Sequence, residues 1–155
     1  MHSKDGKSME LDGTDVKILR ILLSDARLSS RQIARKTNVS IGTVLSRIKK
    51  MEQAEIIKEY SAVVDHEKLG YELTVIIEMT ISKGRISETA KEIAKVPNVC
   101  CVYNVTGLTD AMVIAKFKKR EDLSGFTKYL LSLPHVERTN THVVLTTMQE
   151  DFRVI

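Results

Sequence analysis

Three stretches in the first fifty residues repeat one layout. An apolar residue is followed by a capping side chain, and a second apolar residue stands five positions after the first: Leu11-Asp12 with Val16, Leu28-Ser29 with Ile33, and Val39-Ser40 with Val44. A cap oxygen satisfies an orphan N–H of the first helical turn while the flanking apolar pair fixes how the chain enters it, and Ser29 with Gln32 completes a capping box. Three helices follow from this. The first places Val16, Leu19, Leu22 and Leu23 on one stripe, the second Ile33 and Ala34, and the third Val44, Ile48 and Met51. Only Thr37-Asn38-Val39-Ser40 separates the second from the third. A short helix, a tight turn and a longer helix form a helix-turn-helix.

From Ile56 to Asp65 the pattern turns β-like (Ile56, Ile57, Tyr60, Val63, Val64), and Lys68-Leu69-Gly70 reads as a break. Beyond it the pattern predicts strand Leu73–Ile81, helix Ser87–Val96, a Val96-Pro97-Asn98-Val99 turn and strand Val99–Thr106. The same series returns as strand Ala111–Phe117, helix Glu121–Leu133, a Leu133-Pro134-His135-Val136 turn and strand Thr139–Thr147. Each proline stands just past a helix that it cannot extend. Two βαβ units joined by Thr106-Gly107-Leu108-Thr109-Asp110 give a ferredoxin-like βαββαβ sheet with both helices on one face. The fold class is α+β. Residues 1–10 are expected to be a disordered tail, 11–55 the helix-turn-helix domain, 56–72 a β linker or hinge, and 73–155 the βαββαβ domain.

The strands carry apolar residues on both alternations: Leu73, Val75, Ile77, Met79 and Ile81 but also Ile76, and Val102, Ile114 and Val144 alongside Cys101, Val113 and Val143. Helices cover one face only, so the other needs a second subunit, and a homodimer is the least assembly expected.

Length and charge narrow the function. A chain of 155 residues holds one average domain or two small ones, which excludes large enzyme folds. Its net charge of +4 is local, because seven basic residues and no acidic one lie between Arg27 and Lys50, leaving −3 elsewhere. Such a stretch inside helices fits a polyanion, although a solvated helix face has the same composition. No apolar run reaches the ~18 residues of a membrane span, and Met1–Ser8 is polar, so a cytoplasmic, nucleoid-associated protein is expected. Adjacent Cys100 and Cys101 make neither a disulfide nor a metal knuckle, His2, His66, His135 and His142 lack metal-ligand spacing, and no GxSxG, P-loop, GxGxxG or HExxH occurs. No enzyme, metal or cofactor is expected. An RNA-recognition motif shares the strand order but needs aromatics that Ala111–Phe117 lacks, save Phe117.

With Val44, Ile48 and Met51 turned inward, the third helix turns Thr43, Ser46, Arg47 and Lys50 outward as base and phosphate readers. Ser40, Ile41 and Gly42 form its first turn, whose free N–H groups suit a phosphate, with Gly42 permitting close approach. Arg31 of the basic stretch completes the candidate DNA-binding set. In the hairpin, Asp110 and the amides around Gly107 have the chemistry to hold an amino acid's ammonium and carboxylate, while a turn glycine and a capping aspartate is the structural alternative.

Leu11-Asp12, Asp15, Ile18-Leu19, Asp25-Ala26-Arg27, Ile33-Ala34, Val39-Ser40, Val44, Arg47-Ile48, Met51-Glu52, Ile56-Ile57, Tyr60 and Leu69-Gly70 together resemble the N-terminal domain of the Lrp/AsnC (feast/famine) transcription regulators. Thr106-Gly107 with Asp110 resembles the hairpin of their ligand-sensing domain. The resemblance runs from Leu11 to Met148 and implies a sequence-specific regulator of double-stranded DNA. It further implies dimerisation through the sheets, higher oligomers such as octamers of four dimers, and an amino-acid effector bound between dimers. Carried over by resemblance, the effector site takes Gly107, Asp110, Leu123, Thr141, His142, Val143 and Val144. Three departures stand out: Glu55 where the family usually has glycine, so that the turn there is expected to differ; His142 where tyrosine is frequent; and Leu108-Thr109 in place of an acidic-aromatic pair. Two other readings stay open, a DNA-packaging protein of little sequence specificity and an amino-acid sensor acting through protein partners.

Overall fold

A computed structural model describes residues Glu10–Ile155, so all but Glu10 of the expected tail over 1–10 lies outside the described residues. The chain divides into two compact units, one running to Val63 and taking in Glu150–Ile155, the other spanning Val64–Gln149.

The first unit holds α1 (Gly13–Ser24), α2 (Ser30–Thr37) and α3 (Ile41–Gln53). All three N-caps are made as their side chains dictate. Asp12 accepts from the Thr14 and Asp15 amides, Ser29 from Gln32, and Ser40 from Thr43. Asp15 also accepts from the Asp12 amide at 3.1 Å, closing a reciprocal box on α1 as Gln32 does on α2. Asn38 ends α2 in the left-handed conformation (φ 56), which asparagine tolerates, and so turns the chain into α3 within three residues. Ile18, Leu19, Ile33, Ala34, Val44 and Met51 close into one core, packed around by Leu11, Leu28, Val39 and Ile48. Each large side chain so buried contributes roughly 1.5–3 kcal/mol, which fixes the angles of three helices too short to be stable alone.

The turn expected to differ at Glu55 is of the glycine type. Glu55 itself takes the left-handed conformation (φ 56), and the Ile56 amide reaches back to the Met51 carbonyl at 2.9 Å. The β-like pattern over Ile56–Asp65 forms no strand. Alternation alone makes no strand without a neighbouring chain to complete its hydrogen bonds.

In the second unit β1 (Leu73–Ile81), α4 (Ile86–Ile93), β2 (Val99–Asn104), β3 (Ala111–Phe117), α5 (Arg120–Ser132) and β4 (Val136–Val143) build an antiparallel sheet of order β2-β3-β1-β4. Val75, Ile77, Met79, Val113 and Ala115 are fully buried under Ile93, Phe126 and Leu130 of the two helices. Their alternates, Ile76, Met112 and Ile114, are only half-buried, and Ile76 pairs with Ile114 across the β1–β3 ladder. β4 starts at Val136, three residues before its expected start, and ends at Val143. The Val144 amide bonds to the Thr74 carbonyl at 2.9 Å, and beyond Leu73 β1 offers no further partner, so Leu145 and its successors leave the sheet.

Candidate nucleic-acid interface and effector loop

α3 lies with Val44 and Met51 at 0% exposure, which sets the rest of its surface by helical geometry. At 100° per residue, the side opposite the core carries Gly42, Leu45, Ser46, Lys49, Lys50 and Gln53. All of them are exposed. Gly42 is not demanded by the chain's own packing, since a Cβ there would meet only Ser40 Oγ at 3.8 Å, an ordinary contact. Arg31, Arg35 and Lys36 are exposed on α2.

Three of the candidate readers are engaged within the protein. Ser40 Oγ accepts from the Thr43 amide at 3.0 Å and lies 2.8 Å from Thr43 Oγ1, so both hydroxyls serve the cap. Arg47 sits at the flank of the outward face and turns toward α1, where Nη1 donates to Asp12 Oδ2 at 2.7 Å and to Asp15 Oδ1 at 2.8 Å. Asp15 is buried, with 3% of its side chain accessible against 28% for Arg47. The Asp15 amide, then the Arg47 guanidinium, hold the Asp12 carboxyl below its usual range, and the carboxylates of Asp15 and Asp12 raise Arg47 in return. Asp12, Asp15, Arg47, Ser46 and Lys50 line an open groove of about 1020 Å³ beside the helix. Leu45 and Lys49 are absent from the expected readers, although the inward spacing of Val44, Ile48 and Met51 already turns both outward and Lys49 belongs to the basic stretch.

At the end of α3, Tyr60 donates its hydroxyl to Glu52 Oε1 at 2.9 Å, and burial, then that carboxylate, push its pKa up to about 12. This bond anchors the start of the linker to the DNA-binding unit.

The expected effector residues fall into two groups. Asp110 clasps its loop to the far end of β1: Oδ2 accepts from the Ile81 amide at 2.8 Å, and its own amide donates to the Met79 carbonyl at 2.9 Å. Gly107 turns that loop at φ 122, and Leu108 is fully exposed at its tip. Leu123, on α5, packs against the sheet core, and Val143 pairs with Val75 at the near end of β1 with Val144 following. Four residues of strand, about 13 Å, separate Val75 from Met79. Thr141 pairs with Ile77 on the helix-covered side, whereas His142 pairs with Ile76 on the open face. There its Nε2 lies 3.5 Å from Glu78 Oε1 and 3.1 Å from Asn140 Nδ2. Among the described residues, no group of three or more His, Cys, Asp or Glu is placed to hold a metal ion, and no helix is long and apolar enough to cross a membrane.

Comparison with known proteins bears on both units. Residues 11–58 match the winged helix-turn-helix DNA-binding family and residues 74–154 the Lrp/AsnC ligand binding domain. The chain is 49% identical over 146 residues to an uncharacterized HTH-type transcriptional regulator of Pyrococcus furiosus, covering 94% of this chain and 99% of the relative. It is 36% identical over 140 residues to the HTH-type transcriptional regulator FL11 of Pyrococcus horikoshii, covering 90% and 93%. Among solved structures, a transcriptional regulator of Neisseria meningitidis in complex with L-Met superimposes with a TM-score of 0.85 at 29% identity, covering 94% of this chain and 97% of that one. LrpC of Bacillus subtilis does so with 0.80 at 29% identity, covering 92% and 100%.

Proposed function

The chain belongs to the Lrp/AsnC family, and from that membership as a DNA-binding transcription regulator with a ligand-binding domain, not an enzyme, we propose a homo-oligomeric regulator of pseudo-palindromic operators whose DNA affinity is set by an amino acid. The observation that carries the DNA half is the outward side of α3, where exposed Ser46, Lys49 and Lys50 follow along the helix from a glycine that the fold does not need. In this reading Gly42 and the first-turn amides approach phosphate, Ser46 and Lys50 reach into the groove, Arg31 touches the backbone, and Ser40, Ile41, Thr43 and Arg47 shape the helix end that does so.

In this reading two copies join through the open sheet faces, and the dimer reads two half-sites in successive major grooves with one α3 helix each. Half-buried Ile76, Met112 and Ile114 support that pairing, because an apolar strip in the middle of an uncovered face calls for a cover. The separation of the effector residues supports a site completed between copies, with the Gly107–Asp110 loop of one and Leu123 with Thr141–Val144 of another. Higher assemblies such as an octamer of four dimers would create that juxtaposition. The L-Met bound to the Neisseria relative supports an amino acid as the class of ligand. We place the protein in the cytoplasm, on the nucleoid.

Genomic footprinting tests the regulator reading. Discrete paired half-sites are expected, and a uniform coating of the chromosome would replace it by DNA packaging. Calorimetry with each of the twenty amino acids tests the ligand. One of them is expected to bind and to shift operator affinity by about 5- to 150-fold, the span of a typical 1–3 kcal/mol coupling. No heat from any of them would remove the amino-acid effector.

A further inference from the structure

Two large apolar side chains of α3 are exposed, Leu45 on its outward side at 54% and Ile41 on the adjoining flank at 41%. A single exposed leucine is unremarkable on a protein surface. These two are four residues apart, so they stack on one turn about 40° from each other and border the open position of Gly42. They also occupy the middle of the stretch from Arg27 to Lys50 that holds no carboxylate, with Lys49 and Lys50 one turn on. An apolar side chain followed one turn on by two exposed lysines suits a polyanion that offers an apolar spot of its own. On the major-groove edge of duplex DNA the protruding apolar group is the 5-methyl of thymine, cytosine offering only a C5–H at the same place and the other groups there being donors or acceptors.

We propose that Leu45, supported by Ile41, is a specificity-determining residue of this chain, and that it covers the 5-methyl group of one thymine in each operator half-site. The assignment rests on the DNA-binding reading above and adds the base that one position selects. Ser40 and Thr43 spend their hydroxyls on the helix cap and Arg47 its Nη1 on two carboxylates. With those polar groups committed, contact through apolar surface carries a larger share of discrimination along this turn.

The experiment uses the full chain. Duplexes are first selected from a random library, and each thymine of the selected site is then replaced by deoxyuridine, which deletes the methyl group and nothing else. At one thymine per half-site the wild-type protein is expected to bind about fourfold more weakly, the equivalent of one buried methyl at ~0.8 kcal/mol. The Leu45→Ala protein is expected to lose less than twofold at that same position and to keep its preferences elsewhere. An equal methyl effect in both proteins, or no thymine whose methyl matters to the wild type, would overturn the assignment. If Leu45→Ala changes the oligomer size and leaves sequence selectivity intact, Leu45 belongs to a contact between chains and the proposal fails. Selection that enriches no sequence at all would overturn the operator reading itself, a result distinct from the others. If Leu45→Ala folds poorly, Leu45→Ser takes its place in the same comparison, with the same outcomes supporting or overturning the assignment.

Discussion

Arg47 and Asp15, 32 positions apart in the chain, meet at 2.8 Å through Nη1 and Oδ1, and Asp15 is buried while Arg47 keeps about a quarter of its surface. The pair ties the first turn of α1 to the flank of α3. A buried carboxylate holding the guanidinium from behind sets the rotation of α3 against α1, and thereby the direction in which Ser46 and Lys50 project.

Removing either partner is therefore expected to disturb the fold before it disturbs any single base contact. Asp15→Ala should cost about 1–3 kcal/mol, since it leaves the Asp12 amide and one guanidinium hydrogen without their acceptor. Arg47→Ala should weaken operator and random duplex by similar factors. Thermal unfolding with titrations on both duplexes at one salt concentration measures this. A loss confined to the operator would instead make Arg47 a base reader. Acid exposes the same cluster. The Asp12 carboxyl is held below its unfolded value, so its contribution is complete above about pH 3.9 and is lost as pH falls through the lowered folded value. Asp12→Asn should flatten that part of the stability profile.

Gly42 separates stability from binding. Adding a methyl meets only Ser40 Oγ at 3.8 Å, so Gly42→Ala should stabilise α3 by about 0.5–1 kcal/mol through helix propensity. The same methyl occupies the space nearest a bound phosphate and should weaken duplex binding. A stabilised protein with unchanged affinity would show that the backbone does not approach DNA here.

On the sheet, neighbouring residues of β3 are expected to respond in opposite ways. Val113 is fully buried against the helices, and Val113→Asp should unfold the second unit, an unpaired buried charge being among the costliest substitutions. Half-buried Ile114 faces the open side, and Ile114→Asp should leave circular dichroism intact while sedimentation reports smaller species. Unfolding in both cases would place Ile114 in the intrachain core.

Glu55 holds a left-handed backbone that an L side chain resists. Glu55→Gly should raise stability by about 1 kcal/mol, measured by denaturant midpoint at constant slope, and no gain would mean that the carboxylate or its chain compensates.

The spectrophotometric titration of tyrosine checks the linker anchor. Tyr60 should ionise near 12, and Tyr60→Phe should remove that contribution, while Tyr103, also raised, by its hydrogen bond with Cys101, stays in both proteins. The neutral phenol is favoured in the fold, so its contribution is whole below the ordinary value of 10.0 and disappears as pH rises through about 12. A full complement of tyrosines titrating at ordinary pH would show that Tyr60 is not bonded to Glu52.

The parts legible in sequence were those determined within a few residues. Asp12, Ser29 and Ser40 announce helix starts because a cap bonds to amides two or three positions on, and the prolines at 97 and 134 mark helix ends for an equally local reason. What depended on distant partners was not. Nothing near Arg47 signals that its acceptors are Asp12 and Asp15, and nothing near Thr139 signals that β1 extends pairing back to Val136. The effector residues were grouped by resemblance, but the sheet order sends Asp110 to one end of β1 and Val143 to the other. The outward facing of Leu45 was legible from the inward spacing of Val44, Ile48 and Met51, and the structure adds that half of the side chain stays exposed.

The sheet order has one more consequence. β1 is synthesised first in its domain, yet it lies between β3 and β4, the last strand to leave the ribosome. Until β4 emerges, one edge of β1 stands open and its central ladder is half made, whereas the three helices of the first unit find their partners within sixty residues. During translation the DNA-binding head thus matures early on local contacts, and the sensing half must wait and then form in a single late step. A chain interrupted before Val136 would carry a folded helix-turn-helix without the strand that completes the ligand-binding half.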